Sequence, residues 1–275
     1  MRDRVGIGWR PELAAGILSS LDQIDVVELI AEEYFDASGR ELRALGTLAA
    51  QVPVTLHGLS LGMASTSPVE RRRLERMARL VDRLRPESWS EHLAFVRAGG
   101  IEIGHLAAPP RTSVTVEAAA LNLDAARRVV GCAPLMENIA TLIDPPASDL
   151  DEPEWLRRTL QASGAELLLD IHNLYVNSVN FGMDPEVFLR RLPADRIRAV
   201  HIAGGRSIGE RILDDHLHDP PDPVYRLLES LAARCPHPLT VILERDGAYP
   251  PIAHLLSQIG RARTAIGQGR ARRAA

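Results

Sequence analysis

The sequence predicts an α/β protein, a single (β/α)8 TIM barrel. Three observations predict it. Eight apolar runs are bounded by turn residues, segments with helical periodicity separate most of them, and 275 residues suit eight strand–helix units. A doubly wound open sheet is the alternative, but no Gly-x-Gly-x-x-Gly motif follows the first run. We therefore expect a parallel sheet that closes on itself.

The predicted elements alternate along the chain. The predicted strands are Val5–Trp9, Val26–Ile30, Val52–Leu56, Trp89–Phe95, Leu135–Ile139, Glu166–Ile171, Ile197–Ile202 and Leu239–Leu243. The predicted helices are Glu12–Leu21, Arg40–Ala50, Pro68–Leu84, Glu117–Val130, Glu154–Ala162, Pro185–Leu192, Pro223–Ala233 and Ile252–Ile259. The clearest of these helices is Pro68–Leu84, whose apolar residues recur at helical spacing against an arginine-rich outer face.

The C-terminal segment, residues 261–275, is rich in arginine and lacks apolar spacing. Such segments have little surface to bury and tend to fray. We expect residues 1–260 to form the barrel domain and residues 261–275 to be a disordered tail.

Composition excludes several partners. A net charge of −4 creates no field that favours nucleic acid or an anionic membrane. The chain has no apolar run of about 18 residues that could span a bilayer, and its N-terminus lacks the apolar stretch of a signal peptide. Two cysteines without metal-type spacing do not suggest a disulfide framework. The sequence therefore predicts a cytoplasmic protein.

The chain contains no lysine, and all 32 basic residues are arginine. This excludes mechanisms that need a lysine amine, which include Schiff-base aldolases, pyridoxal-phosphate enzymes and Walker-type phosphate loops.

Ionisable side chains follow most of the predicted strands, at the end where barrel enzymes place their chemistry. They are Glu28, His57, His92, Glu137, Asp170, His172, His201 and Glu244, and the segment LDDHLH at 213–218 adds Asp214, Asp215, His216 and His218. So many ionisable groups at one edge of a sheet need cations to neutralise them. Imidazole and carboxylate without thiolate suit iron, manganese or zinc, and more than six candidates exceed the capacity of one ion. We predict two or three metals.

Other polar residues have a simpler interpretation. His237 and His254 are expected to be surface or packing residues, and His105 is expected to be structural. The role of His218 stays open, and Asn138 suits helix capping as well as metal ligation.

Several strings together resemble one family. They are LHGLSL at 56–61, SEHLA at 90–94, ENI at 137–139, LLLDIHNLYVN at 167–177, HIAGG at 201–205, DDH at 214–216 and LERD at 243–246. In this order they are similar to the multinuclear non-haem iron-dependent oxidative enzymes (MNIO family). The segment EEYF at 32–35 resembles a family segment that usually reads ENYF. The resemblance spans nearly the whole chain, from the first strand to about residue 250.

The resemblance implies a barrel that binds two or three irons of mixed valence, Fe(II) and Fe(III), and uses dioxygen as co-substrate. It also implies a ribosomally made precursor peptide, modified most often at cysteine, and a partner protein that recognises the peptide leader. Carried over by motif, the metal ligands are His57, His92, Glu137, Asp170, His201, Asp214, His216 and Glu244, with Asp170 and His216 as candidate catalytic residues. His172 departs from the family string, which more often has Asn there, and is either a further ligand or a group behind the ligands. Asn173 is a weaker ligand candidate.

Two alternatives stay open from the residues alone. One is a manganese- or zinc-dependent barrel enzyme, either a sugar isomerase or an endonuclease IV-like phosphoesterase. Such barrels also have His, Asp and Glu at the ends of their strands. The other is a metal- or peptide-binding module without a reaction. Bound-metal analysis would separate the enzyme classes, and substrate-dependent oxygen consumption would separate enzyme from binding module.

Overall fold

A computed structural model describes residues 2–98 and 100–274. Its β-strands are β1 Arg4–Gly8, β2 Val27–Ile30, β3 Val54–Gly58, β4 Trp89–His92, β5 Phe95–Ala98, β6 Ile101–Ala107, β7 Leu135–Glu137, β8 Glu166–Asp170, β9 Ile197–Ile202, β10 Gly204–Ile208, β11 Arg211–His218 and β12 Thr240–Leu243. Within these residues, eight strands form a closed barrel in the order β1-β12-β9-β8-β7-β4-β3-β2. The predicted TIM barrel is confirmed.

Helices lie between the barrel strands. The α-helices are α1 Ala14–Leu18, α2 Gly39–Ala49, α3 Arg71–Leu84, α4 Ser113–Val130, α5 Glu152–Ser163, α6 Ile171–Phe181, α7 Pro185–Arg191, α8 Asp222–Arg234 and α9 Ile252–Ala274. Short 3-10 helices cover Pro11–Leu13, Leu21–Gln23, Ala31–Tyr34 and Ala194–Arg196. None of the helices within the described residues is long and apolar enough to cross a membrane.

Local sequence explains where the helices begin. Ser38 and Glu41 form a capping box at the start of α2, and Asp151 caps α5 by accepting a hydrogen bond from the backbone N–H of Glu154. Asp170 does the same for α6, accepting from Asn173. A side-chain oxygen at this position satisfies an N–H group that the helix leaves unpaired. The predicted ligand Asp170 therefore also marks the junction between a strand and a helix.

The chain divides into two compact units. Residues 29–167 contain β3, β4 and β7 as parallel neighbours, with His57 beside Ser90 and His92 beside Glu137 in register. Their core includes Leu56, Met77 and Trp89, which are almost fully buried.

The second unit comprises residues 1–28 and 168–275. In it β1 pairs with β12, and β12 pairs with β9, all in parallel. The register sets His201 beside Ile242, and β1 sets Gly8 beside Glu28. A Cβ at Gly6 would lie 1.9 Å from the carbonyl oxygen of Val26, so glycine permits close packing at this point.

Two hairpins were not predicted from the sequence. β5 pairs with β6, and β10 pairs with β11, each in antiparallel fashion. The segment LDDHLH lies in β11, whereas we expected it in a connection. The strand β4 ends at His92, and Phe95 belongs to β5 rather than to the predicted strand Trp89–Phe95.

The expectation of a disordered tail is wrong. α9 continues to Ala274, and Ala262, Ala265, Ile266 and Gly269 are buried along it. These residues recur at helical spacing, but alanine and glycine made the apolar stripe inconspicuous. Arg270 also pairs with Asp3 at 2.7 Å. Small residues and ion pairs therefore order a segment whose composition suggested disorder.

Candidate metal-binding site

The unit formed by residues 29–167 brings three predicted ligands together. The Nε2 atoms of His57 and His92 lie 3.4 and 3.3 Å from Oε2 of Glu137. All three side chains are buried, and the two imidazole rings meet edge to face with centroids 4.7 Å apart. The parallel register of β3, β4 and β7 produces this arrangement, which we call the first cluster.

Groups behind the first cluster orient its imidazoles. Nδ1 of His57 lies 2.8 Å from Oγ of Ser90. Nδ1 of His92 lies 3.2 Å from the carbonyl oxygen of Gly58. A carbonyl only accepts, so Nδ1 of His92 carries a proton and Nε2 is the atom that faces Glu137. A carboxylate and an imidazole nitrogen so placed need a cation between them, and both a metal ion and a second proton meet that need.

The other unit forms a second cluster from α6 and β11. Oδ1 of Asp214 lies 2.8 Å from Nδ1 of His172 and 2.9 Å from Nε2 of His216. His172 is completely buried. Burial raises the pKa of Asp214, but hydrogen bonds to the two histidines outweigh it and hold that pKa well below its usual range.

The surroundings of His216 are strongly negative. Burial lowers the pKa of its imidazole, but the nearby carboxylates of Glu244, Asp214 and Asp246 raise that pKa well above its usual value. Nδ1 of His216 lies 3.1 Å from Oδ2 of Asp246, whose other oxygen accepts hydrogen bonds from Arg10. A field that stabilises imidazolium also stabilises a bound cation.

The backbone of His216 has φ of 54°. A residue other than glycine in this left-handed region stores strain of roughly 1–3 kcal/mol, and such strain collects at functional sites. The conformation points to a role for His216 beyond packing.

A third group of candidate ligands lies on the strands of this unit or directly after them. Nε2 of His201 lies 2.8 Å from Oε1 of Glu28, and Nδ1 lies 3.1 Å from Oε2 of Glu244. Asp170, His201 and Glu244 offer ligand atoms within 4.8 Å of one another. All are buried. Both nitrogens of one imidazole thus face carboxylates, which is the environment of a ligand or of a buried imidazolium.

The remaining candidates lie elsewhere. His105 lies on the exposed strand β6. His218 contacts Asp215, His254 contacts Asp219, and His237 contacts two carbonyl oxygens. His254 is exposed and His237 is half-buried, in keeping with surface or packing residues. Asn138 is buried and directly follows β7. Asn173 is buried and lies in the first turn of α6.

The residues fit a metal. Nε2 of His172 is buried and finds no hydrogen-bond partner among the described residues, although an imidazole nitrogen without a partner costs free energy. The donors in all three groups are imidazole nitrogen and carboxylate oxygen, the combination that suits iron, manganese or zinc.

A family model described as "RiPP precursor modification enzyme MbnB/TglH/ChrH" matches residues 4–267, nearly the whole chain. The chain belongs to this family. The resemblance found in the sequence strings is thereby confirmed.

Relatives in the MbnB/TglH/ChrH family carry its older name. A UPF0276 protein from Streptomyces avermitilis is 36% identical over 272 residues, which cover 95% of this chain and 54% of the relative. The chain thus spans about half the length of that protein. A UPF0276 protein from Caulobacter vibrioides is 32% identical over 269 residues, which cover 98% of this chain and 96% of the relative.

Solved structures share the barrel at low sequence identity. D-psicose 3-epimerase from Clostridium cellulolyticum gives a TM-score of 0.61 at 11% identity and covers 98% of this chain and 99% of its own. Endonuclease IV from Thermus thermophilus gives a TM-score of 0.63 at 15% identity, with 95% and 99% covered. At these identities the likeness concerns the fold alone.

Two residues that support the first cluster were not predicted from the sequence. Ser90 bonds to His57, and Glu91, which is completely buried, accepts hydrogen bonds from the backbone N–H groups of Leu61 and His92. A signal was present, since an acidic residue inside a barrel strand is almost never buried without partners. The pKa of Glu32 is raised by burial and by the charge of Glu91.

Proposed function

We propose that this chain is an iron- and dioxygen-dependent enzyme that oxidises a ribosomally synthesised precursor peptide, most often at a cysteine. The observation that carries the proposal is the match to RiPP precursor modification enzymes over residues 4–267. The convergence of imidazole and carboxylate groups at the positions that the family motifs mark supports it.

We propose two or three irons, held by the three groups of donors. Their residues are His57, His92 and Glu137 in the first cluster, His172, Asp214 and His216 in the second, and Glu28, Asp170, His201 and Glu244 on the strands, with the Asn173 amide as a further candidate. When bound, iron supplies a site for a substrate thiolate and an electron source for the reduction of dioxygen.

The chain's own residues prepare that chemistry. The carboxylates of Glu137, Asp170 and Glu244 would balance the charge of bound ferric iron. Ser90 and Asp246 hold the imidazoles of His57 and His216 in fixed orientations through Nδ1, and such contacts behind the ligands tune metal affinity. Burial of the donors in the first cluster and in the third group would limit the access of competing water.

A cysteine is the favoured substrate residue for a chemical reason. A thiol that binds a cation loses its proton, and its β-carbon hydrogens are then held in a fixed place. We further propose a partner protein that recognises the peptide leader. Asp170 and His216 are the residues that we expect to act closest to the reacting atoms.

The proposal is tested by mass spectrometry of the precursor peptide, co-expressed with the enzyme and any adjacent partner under iron-replete aerobic conditions. We expect a mass change that maps to one residue, and Cys→Ser in the peptide should abolish it. The matched enzyme variant is Asp214→Asn, which should leave the peptide unmodified. An unmodified peptide together with turnover of a free sugar or a phosphoester would replace this proposal by the manganese or zinc alternative.

A further inference from the structure

The hairpin β10–β11 carries Asp214 and His216, and it lies against α6. We propose that Asn180, on α6, is a positioning residue that fixes this hairpin and thereby sets the geometry of the second cluster. The inference rests on the proposed function for its metal, while its structural part stands on contacts within the apo protein.

Asn180 engages the backbone of one residue through both ends of its amide. Its Nδ2 donates to the carbonyl oxygen of Ile212 at 3.0 Å, and the N–H of Ile212 donates to its Oδ1 at 2.8 Å. A side-chain amide used in this way reproduces the pair of hydrogen bonds that a neighbouring strand would make. Asn180 therefore substitutes for a strand along this edge of β11.

The register of the hairpin explains why Ile212 is the residue held. Ile208 pairs with Arg211 across a two-residue turn, and Ser207 pairs with Ile212. The two residues that flank a two-residue turn form a hydrogen-bonded pair, and hydrogen-bonded and non-hydrogen-bonded pairs alternate along an antiparallel ladder. Ser207 and Ile212 are therefore a non-hydrogen-bonded pair. The backbone groups of Ile212 therefore point away from β10 and toward α6. Gly209, with φ of 60°, supplies the turn that such a hairpin favours.

Asp214 and His216 follow Ile212 by two and four residues in β11, so a contact that fixes the backbone of Ile212 restrains the segment that carries both candidate ligands. A second contact between helix and hairpin is the one from Nδ1 of His172 to Oδ1 of Asp214. That contact is made by the side chains of two proposed ligands. The Asn180 contact uses neither, and it can hold the hairpin before the metal binds.

Two further features require a hairpin that is held closely. A Cβ at Gly205 would lie 2.2 Å from the carbonyl oxygen of Leu213 and 3.0 Å from Cε1 of His172. His216 keeps a positive φ, and a strained conformation persists only where surrounding contacts enforce it. Loosening β11 would let His216 relax to an ordinary backbone conformation and withdraw its imidazole from Asp214.

The test compares Asn180→Ala and Asn180→Asp with the wild-type chain and with Val179→Ala, an exposed neighbour on the same turn of α6. Hydrogen exchange on the apo protein reports the N–H of Ile212, and titration with cobalt(II) reports metal affinity. Asn180→Ala should raise exchange at Ile212 about tenfold and weaken the binding of one cobalt equivalent by about tenfold, since it removes two hydrogen bonds. Asn180→Asp keeps the acceptor, so its exchange rate at Ile212 and its cobalt affinity should lie between those of Asn180→Ala and the wild type. Val179→Ala should match the wild type in both measurements.

The outcomes separate the two claims. An unchanged rate of hydrogen exchange at the N–H of Ile212 in Asn180→Ala would show that Asn180 does not hold the backbone of Ile212. Faster exchange with unchanged cobalt affinity would overturn its positioning role. Asn180→Asp decides the same questions if the alanine variant does not fold. If the wild-type chain binds no more cobalt than Asp214→Asn does, the second cluster holds no metal, and the positioning role of Asn180 is overturned with it. The exchange rates would still decide whether Asn180 holds the backbone of Ile212.

Discussion

At the scale of single residues, the candidate ligands are held by groups that are themselves polar and buried. Ser90 and Asp246 each contact Nδ1 of a histidine, which leaves Nε2 for the cluster. The candidate ligands could be proposed from the sequence because imidazole and carboxylate groups at strand ends are unusual. Ser90 could not, because serine in a strand carries no such signal. Only the register of β3 and β4, set by packing along the whole chain, places its hydroxyl beside His57.

A first prediction concerns Ser90. Ser90→Ala should lower the metal affinity of the first cluster by about 10- to 100-fold, because the imidazole of His57 loses the contact that fixes its tautomer and orientation. Metal titration followed by absorption of the cobalt(II) protein measures this.

Ser178→Ala provides the matched control, since Ser178 is also buried but bonds to the carbonyl oxygen of Leu174 within α6. Equal metal affinities in the two variants would contradict a role for Ser90 in orienting His57.

At the scale of elements, the predicted strands were found within about two residues at most ends because buried parallel strands are continuous apolar runs. The hairpins were missed for the opposite reason. β6 is largely exposed and β11 is exposed or half-buried, and charged residues, histidine or glycine interrupt the apolar residues in both strands, as they do in loops. The tail was missed because α9 packs through alanine and glycine, whose small side chains give little periodic contrast.

A second prediction uses two glycines of α9. Nothing lies within 4 Å of a Cβ at Gly267, whereas a Cβ at Gly269 would lie 2.2 Å from the carbonyl oxygen of Glu229. Gly267→Ala should therefore stabilise the protein by about 1 kcal/mol through helix propensity. Gly269→Ala should destabilise it by on the order of 1–3 kcal/mol through overpacking.

Chemical denaturation of both variants measures these changes in the free energy of unfolding. Equal and stabilising effects would mean that α9 does not pack against α8 at this point, and the disordered tail would be the better description.

A third prediction concerns pH. Burial raises the pKa of Asp3, but hydrogen bonds from Arg270 and from the N–H of Leu239 outweigh it, and the net shift is downward. A carboxylate with a lowered folded-state pKa stabilises the protein above its unfolded pKa, near 4, and this contribution is lost as pH falls through the folded value.

Asp3→Asn should therefore lower the free energy of unfolding at pH 7, by under about 1 kcal/mol because the pair is partly solvated. At pH 2–3 the difference from wild type should shrink. Unfolding measured across this range checks the sign, and a difference that grows toward low pH would contradict the assignment of the pair.

At the scale of the whole molecule, the sequence limits the possible reactions in a way that the fold alone does not. The absence of lysine removes amine-based mechanisms. The barrel alone is shared by sugar epimerases and endonuclease IV, so the fold does not choose among metal-dependent reactions. The donor types in the three groups suit iron, manganese and zinc alike. The identity of the bound metal therefore has to distinguish an iron-dependent oxidation from a manganese- or zinc-dependent reaction.

The measurement that tests the central claim most directly is elemental analysis of protein purified without oxygen. The count of imidazole and carboxylate donors against a limit of about six ligands per ion predicts two or three metal ions per chain, and the proposed function predicts that they are iron. His216→Ala should lower that content while the fold is retained, because the core is built from the apolar strand residues. Tightly bound zinc or manganese alone, with no gain of activity on iron loading, would contradict the account.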